Sequence, residues 1–81
     1  MPLIEFTLAA GAPYIEINQL LKATGVADSG GAGKALVADG QVSVGGVVET
    51  RKTAKIRSGQ IVSHGDTRIV VRAVPSADDS V

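Results

Sequence analysis

Glycine punctuation between residues 28 and 52 constrains this chain more than any other feature. Asp28-Ser29-Gly30-Gly31-Ala32-Gly33-Lys34 reads as the start of a helix, which Ala35, Leu36 and Val37 propagate and Asp39-Gly40 closes. Ser29 supplies the side-chain oxygen that caps a free backbone N–H, and a glycine just past a helix takes the left-handed conformation that ends it. From Gln41 the period switches to two, with Val42 and Val44 on one face and Gln41 and Ser43 on the other, before Gly45-Gly46 and a returning Val47-Val48-Glu49. Two glycines between alternating runs adopt the positive φ angles of a two-residue hairpin turn. The spacing therefore predicts a β-hairpin directly after the helix. Its second strand hands over to Arg51, Lys52, Lys55 and Arg57, with no acid among them.

The flanks fit around this segment. Residues 3–8 alternate, with Ile4, Phe6 and Leu8 on one face and Glu5 and Thr7 on the other, which predicts a half-buried strand. Ala10-Gly11-Ala12-Pro13 breaks it. Asn18 is the expected cap of a helix of about two turns, with Leu20, Leu21 and Ala23 or Thr24 on its buried stripe and Gly25 at its end. The connection from Val26 to Ser29 is so short that the two helices must pack on each other. Ile56 resumes apolar character, residues 60–63 form a short strand, Gly65-Asp66 turns, and residues 67–74 make a last strand. The fold class is α+β: two short packed helices against a small antiparallel sheet. One domain is expected over residues 1–74, its core running from 15 to 74, and residues 75–81 are expected to be a flexible acidic tail.

A chain of 81 residues buries only about 60% of the surface its unfolded form exposes, which favours a surface function over an internal active site. With no cysteine, thiolate nucleophiles and the usual cysteine-containing zinc sites are excluded. No apolar run approaches the roughly 20 residues that span a bilayer, and the N-terminus lacks the pattern of a signal peptide. A soluble, cytoplasmic protein without membrane contact is expected. Gly33-Lys34 suggests a phosphate-cradling loop, but a P-loop needs glycine where Asp28 stands and Ser or Thr where Ala35 stands. A dinucleotide fingerprint fails as well, because Leu36 occupies the position of its third glycine. His64, the single histidine, reads as a turn residue, and no spacing recommends a carboxylate pair or a nucleophile with its base. No enzyme activity, cofactor, metal or small-molecule substrate is expected.

Net charge is zero, yet the charge is segregated along the chain. Lys22 lies on the first helix, Lys34 on the second, and Arg51, Lys52, Lys55 and Arg57 follow the hairpin. If the helices pack beside the hairpin, these six can converge on one face; otherwise they are ordinary solvated charges balanced by Asp28, Asp39 and Glu49. Gly30 and Gly31 add bare N–H groups at a helix N-terminus, which favour phosphate beside Lys34. With one tyrosine, one phenylalanine and no tryptophan, a platform for stacking single-stranded bases is not expected.

These residues resemble the αL RNA-binding domain named for the small-subunit ribosomal protein S-four, and within it the small stand-alone bacterial proteins of the YbcJ type. The resemblance runs from Ile15 to Val74. It is carried by Ile17-Asn18-Gln19-Leu20-Leu21-Lys22, Ser29-Gly30-Gly31, Lys34, Asp39-Gly40-Gln41-Val42-Ser43-Val44, Val48-Glu49-Thr50-Arg51-Lys52 and Lys55-Ile56. It implies two helices packed against a small antiparallel sheet, with RNA laid across the helix entry and the adjoining strand. Together with the charge segregation it leads to the expectation of a non-catalytic module, a monomer, that binds structured RNA, ribosomal or transfer, mainly through the phosphate backbone. It further implies RNA-binding roles for Lys22, Ser29, Gly30, Gly31, Lys34, Arg51, Lys52 and Lys55, which Arg57 extends. Many members carry arginine at the position of Gly30, alanine at that of Gly33, and asparagine or aspartate at that of Gly45. Gly33 is accordingly expected to weaken its helix by roughly 0.5 to 1 kcal/mol relative to alanine, and Gly30 to forgo one phosphate contact. A competing expectation is a protein-interaction module that uses an exposed strand edge, either the first strand through Ile4 and Phe6 or the last strand from Ile69 to Val74.

Overall fold

The computed structural model describes residues 2–74; the acidic tail expected at 75–81 lies outside them. In chain order the elements are β1 (Leu3–Thr7), β2 (Ile15–Glu16), α1 (Ile17–Ala23), α2 (Gly30–Ala38), β3 (Val42–Val44), β4 (Val47–Val48), β5 (Lys55–Ile56), β6 (Ile61–His64) and β7 (Thr67–Arg72).

Ile17, Leu20 and Leu21 recur at the three- and four-residue spacing of one helical face, and all three are fully buried. They form the side of α1 that joins the buried core cluster. Gly25, at φ 80°, ends the helix, and its N–H donates to the Lys22 carbonyl at 3.1 Å. The start of α1 differs from expectation. Glu16 occupies the capping position without a side-chain bond, and Asn18 lies one residue inside the helix, 1% exposed. The helix is instead started by strand pairing, because the Ile17 N–H donates to the Ala54 carbonyl at 2.8 Å.

α2 follows its sequence signals closely. The Ser29 hydroxyl accepts from the Ala32 N–H at 3.0 Å. Gly40 turns out at φ 77°, with the Gly40 N–H donating to Val37 O and the Gln41 N–H to Leu36 O at 3.1 and 3.2 Å. These two bonds make the paired closure of a Schellman motif.

Gly45 and Gly46, at φ 59° and 85°, make the tight turn between β3 and β4, with Val44 opposite Val47. The large sheet runs β1-β7-β6-β3-β4. Val42, Val62, Ile69 and Val71 point from it into the core, where burying each such side chain contributes about 1.5 to 3 kcal/mol. Four of its strands are antiparallel neighbours, as the alternation predicts, whereas β1 lies parallel to β7, Leu3 against Arg68 through Thr7 against Arg72. This corrects the strand-edge expectation for β7. That strand is interior, flanked by β1 and β6, so its backbone is already paired, and Ile4 and Phe6 of β1 pack on the core.

A separate two-stranded ladder joins β2 and β5, Ile15 to Ile56 and Glu16 to Lys55. It fixes the basic segment against the start of α1. No helix among the described residues is long and apolar enough to cross a membrane.

Candidate nucleic-acid interface

The start of α2 is shaped by its crossing with α1. Gly33 sits so close that a Cβ there would lie 2.7 Å from the backbone oxygen of Asn18 and 3.2 Å from its Cα. Both atoms belong to main chain and cannot swing away. Gly33 is therefore the residue that permits the crossing, and the expectation that alanine would strengthen this helix fails in the folded protein. Helix propensity operates within one helix; the steric contact operates between two.

Gly30 lies one turn earlier on the same side, where a Cβ would meet Gln19 Nε2 at 3.3 Å and Asn18 Nδ2 at 3.7 Å. A Cβ on Gly31 would meet only Ser29 Oγ, at 3.9 Å, and Ser29, Gly31 and Lys34 are exposed. The N–H groups of a first helical turn lack intrahelical acceptors. The α2 start thus offers unpaired donors, the positive end of the helix dipole and an ammonium group within one turn.

Across α1, the segment following β4 forms a basic ridge. The Arg51 guanidinium grips Glu49 with both edges of its fork, Nη2 donating to Oε1 at 3.0 Å and Nε to Oε2 at 3.1 Å, while the Arg51 backbone N–H donates to Oε2 at 2.9 Å. These bonds, the side-chain pair first, hold the Glu49 carboxyl down at about 2, and the carboxylate raises Arg51 in return. Arg51, Thr53, Ala54 and Lys55 line a cleft of about 360 Å³. Lys52 projects into solvent beside it. Lys55 Nζ stands 5.1 Å from the centre of the Tyr14 ring, and Arg57 Cζ stands 5.9 Å from it.

The first turn of α1 connects the two halves. Asn18 lies against Gly33 of α2, close enough that no Cβ fits between them, and the Ile17 N–H is bonded to the Ala54 carbonyl in the ridge segment. The α2 start thus meets α1 at Asn18, and the segment carrying Arg51, Lys52, Lys55 and Arg57 meets it at Ile17. Lys22 occupies the last turn of α1, where a cation complements the negative helix end. His64 is remote from the ridge: it ends β6, half-buried, paired with Val42 and Thr67.

Tyr14 and Gln19 were not among the residues expected at this surface, and Glu49 was expected only as a balancing charge. The one signal for Tyr14 is a shared polar-apolar-polar triplet, Tyr14-Ile15-Glu16 and Lys55-Ile56-Arg57, which becomes meaningful once the register is known.

A family model described as the S4 domain matches residues 8–72. YbcJ of Escherichia coli (strain K12) is 46% identical over 61 residues, covering 75% of this chain and 87% of the relative. YbcJ of Shigella flexneri matches with the same identity and coverage. The solution structure of YbcJ from E. coli, described as revealing an αL motif involved in RNA-binding, superposes with a TM-score of 0.69 at 41% identity, covering 90% of this chain and 91% of that one.

Proposed function

This chain belongs to the S4 domain family, and on that premise we propose that it is a non-catalytic module that binds structured RNA, ribosomal or transfer, mainly through the phosphate backbone. The observation that supports this reading is that the capped α2 start and the basic ridge both abut the first turn of α1, at Asn18 and at Ile17. Gly30 and Gly31 offer N–H groups to one phosphate, with Lys34 beside them, and the Ser29 hydroxyl accepts from Ala32 while keeping its own proton to donate. Lys52, Lys55 and Arg57 meet the phosphates that follow. Arg51, though bound to Glu49, keeps its Nη1 donors free for a phosphate oxygen. Lys22 serves at the margin.

Donors and cations of this kind fix a duplex or folded RNA by its shape, since phosphate contacts carry no base information. The same set holds no nucleophile paired with a base, and it suits binding without turnover. Crosslinking the protein to RNA in cells and sequencing the attached fragments tests the reading. Enrichment of ribosomal or transfer RNA is expected. Recovery of no RNA above an uncrosslinked control contradicts it.

A further inference from the structure

The β2–β5 ladder brings Lys55 directly opposite Glu16, a cross-strand placement in which opposite charges ordinarily attract. The same register, continued by one residue, sets Tyr14 opposite Arg57. Tyr14, Glu16, Lys55 and Arg57 share the outer face of the ladder, while Ile15 and Ile56 face the core. Among the described residues no ion pair joins Lys55 to Glu16. Lys55 instead leans diagonally across the strands to place Nζ over the Tyr14 ring at 5.1 Å, with the Arg57 guanidinium 5.9 Å from the same ring. The negative face of an aromatic ring attracts cations without cancelling their charge, which a carboxylate would do.

We propose that Tyr14 is a positioning residue of the RNA-binding surface, holding Lys55 away from Glu16 and beside Arg57 so that two uncancelled positive charges extend the footprint from the cleft onto the β2–β5 ladder. This inference rests on the RNA reading above. Lys55 is the hinge of the arrangement, because it lines the cleft with Arg51 and touches the ring as well. Without the ring, Lys55 falls back on Glu16, and the ladder presents one uncancelled cation, Arg57, in place of two.

The test is a mutant cycle on the full chain, with filter binding to unfractionated transfer RNA at low salt and a thermal melt of each variant. Tyr14→Phe keeps the ring and is expected to bind as wild type. Tyr14→Leu is expected to lose about three- to tenfold in affinity, the equivalent of one or two such contacts. Adding Glu16→Gln to Tyr14→Leu removes the competing carboxylate and is expected to recover most of that loss, by more than Glu16→Gln alone improves the wild type, which a merely structural role for Tyr14 would not allow. In the free protein, the Lys55 Hε resonances are expected upfield of an exposed lysine and to return on Tyr14→Leu. Wild-type binding that Tyr14→Leu leaves unchanged overturns the inference alone, as does a loss that Glu16→Gln fails to relieve. Absence of wild-type binding overturns the RNA reading and this inference together.

Discussion

The two halves of the surface present positive charge by different means. At the α2 start the groups are local and uncommitted: consecutive glycines expose first-turn N–H groups, Ser29 fixes the cap, and Lys34 is exposed one turn on. On the ridge the cations are held by neighbours, Arg51 by Glu49 and both Lys55 and Arg57 by Tyr14. The difference teaches that formal charge is a poor measure of what a ligand meets. Arg51 arrives at a phosphate with much of its charge offset but its geometry set, whereas Lys34 arrives with full charge and must lose side-chain freedom to bind.

The largest expected effect removes both halves together. Changing Lys34, Arg51, Lys52 and Lys55 to glutamine should lower affinity for structured RNA by roughly 100-fold or more at low salt while leaving the circular dichroism spectrum intact, since all four are exposed. Unchanged binding would place the RNA on another face. Next is Gly33→Ala, which tests whether the α2 start depends on the helix crossing. Urea unfolding should show a loss of about 1 to 3 kcal/mol, the usual cost of forcing an extra carbon into a packed contact. A gain would mean that helix propensity outweighs the contact with Asn18.

Gly30→Arg sharpens the contrast by giving the α2 start a long cation. A Cβ there meets only the mobile end of Gln19 closely, so the domain should fold. Affinity should rise a few-fold, and the plot of log affinity against log salt should steepen by about 0.7 to 0.9. The smallest effect concerns the ridge pair. Glu49 has its pKa lowered from 4.5 to about 2, so the pair stabilises the fold fully above about pH 4.5 and loses that contribution as pH falls toward 2. Melting temperatures of wild type and Glu49→Gln should differ near neutrality and converge as the pH approaches 2; a constant gap would show that the carboxylate charge is not what matters.

Much of this was legible in the residues. The Gly45-Gly46 hairpin, the Ser29 cap and the Gly25 and Gly40 terminators each depend on chemistry within a few positions, and each forms where the spacing puts it. The family follows from blocks of the same length scale. What escaped depends on contacts between distant segments. Asn18 has the chemistry of a cap, yet Ala54 reaches the Ile17 N–H and the helix starts two residues earlier, with Glu16 at the capping position. The alternation of residues 3–8 marks a strand but contains nothing that distinguishes a parallel neighbour from an antiparallel one. The two-residue strands of the β2–β5 ladder are too short to register as a period, so the meeting of Tyr14 with Lys55 and Arg57 could not be read. For Gly33 the expected sign reverses, because propensity is a property of one helix and the 2.7 Å approach is a property of two.

The central claim is that the α2 start and the ridge together bind RNA by its phosphates. Titration of the full chain with unfractionated transfer RNA across a range of salt tests it most directly. Contact with four to six phosphates predicts a slope of about −3 to −5 in log affinity against log salt; a flat dependence would contradict it.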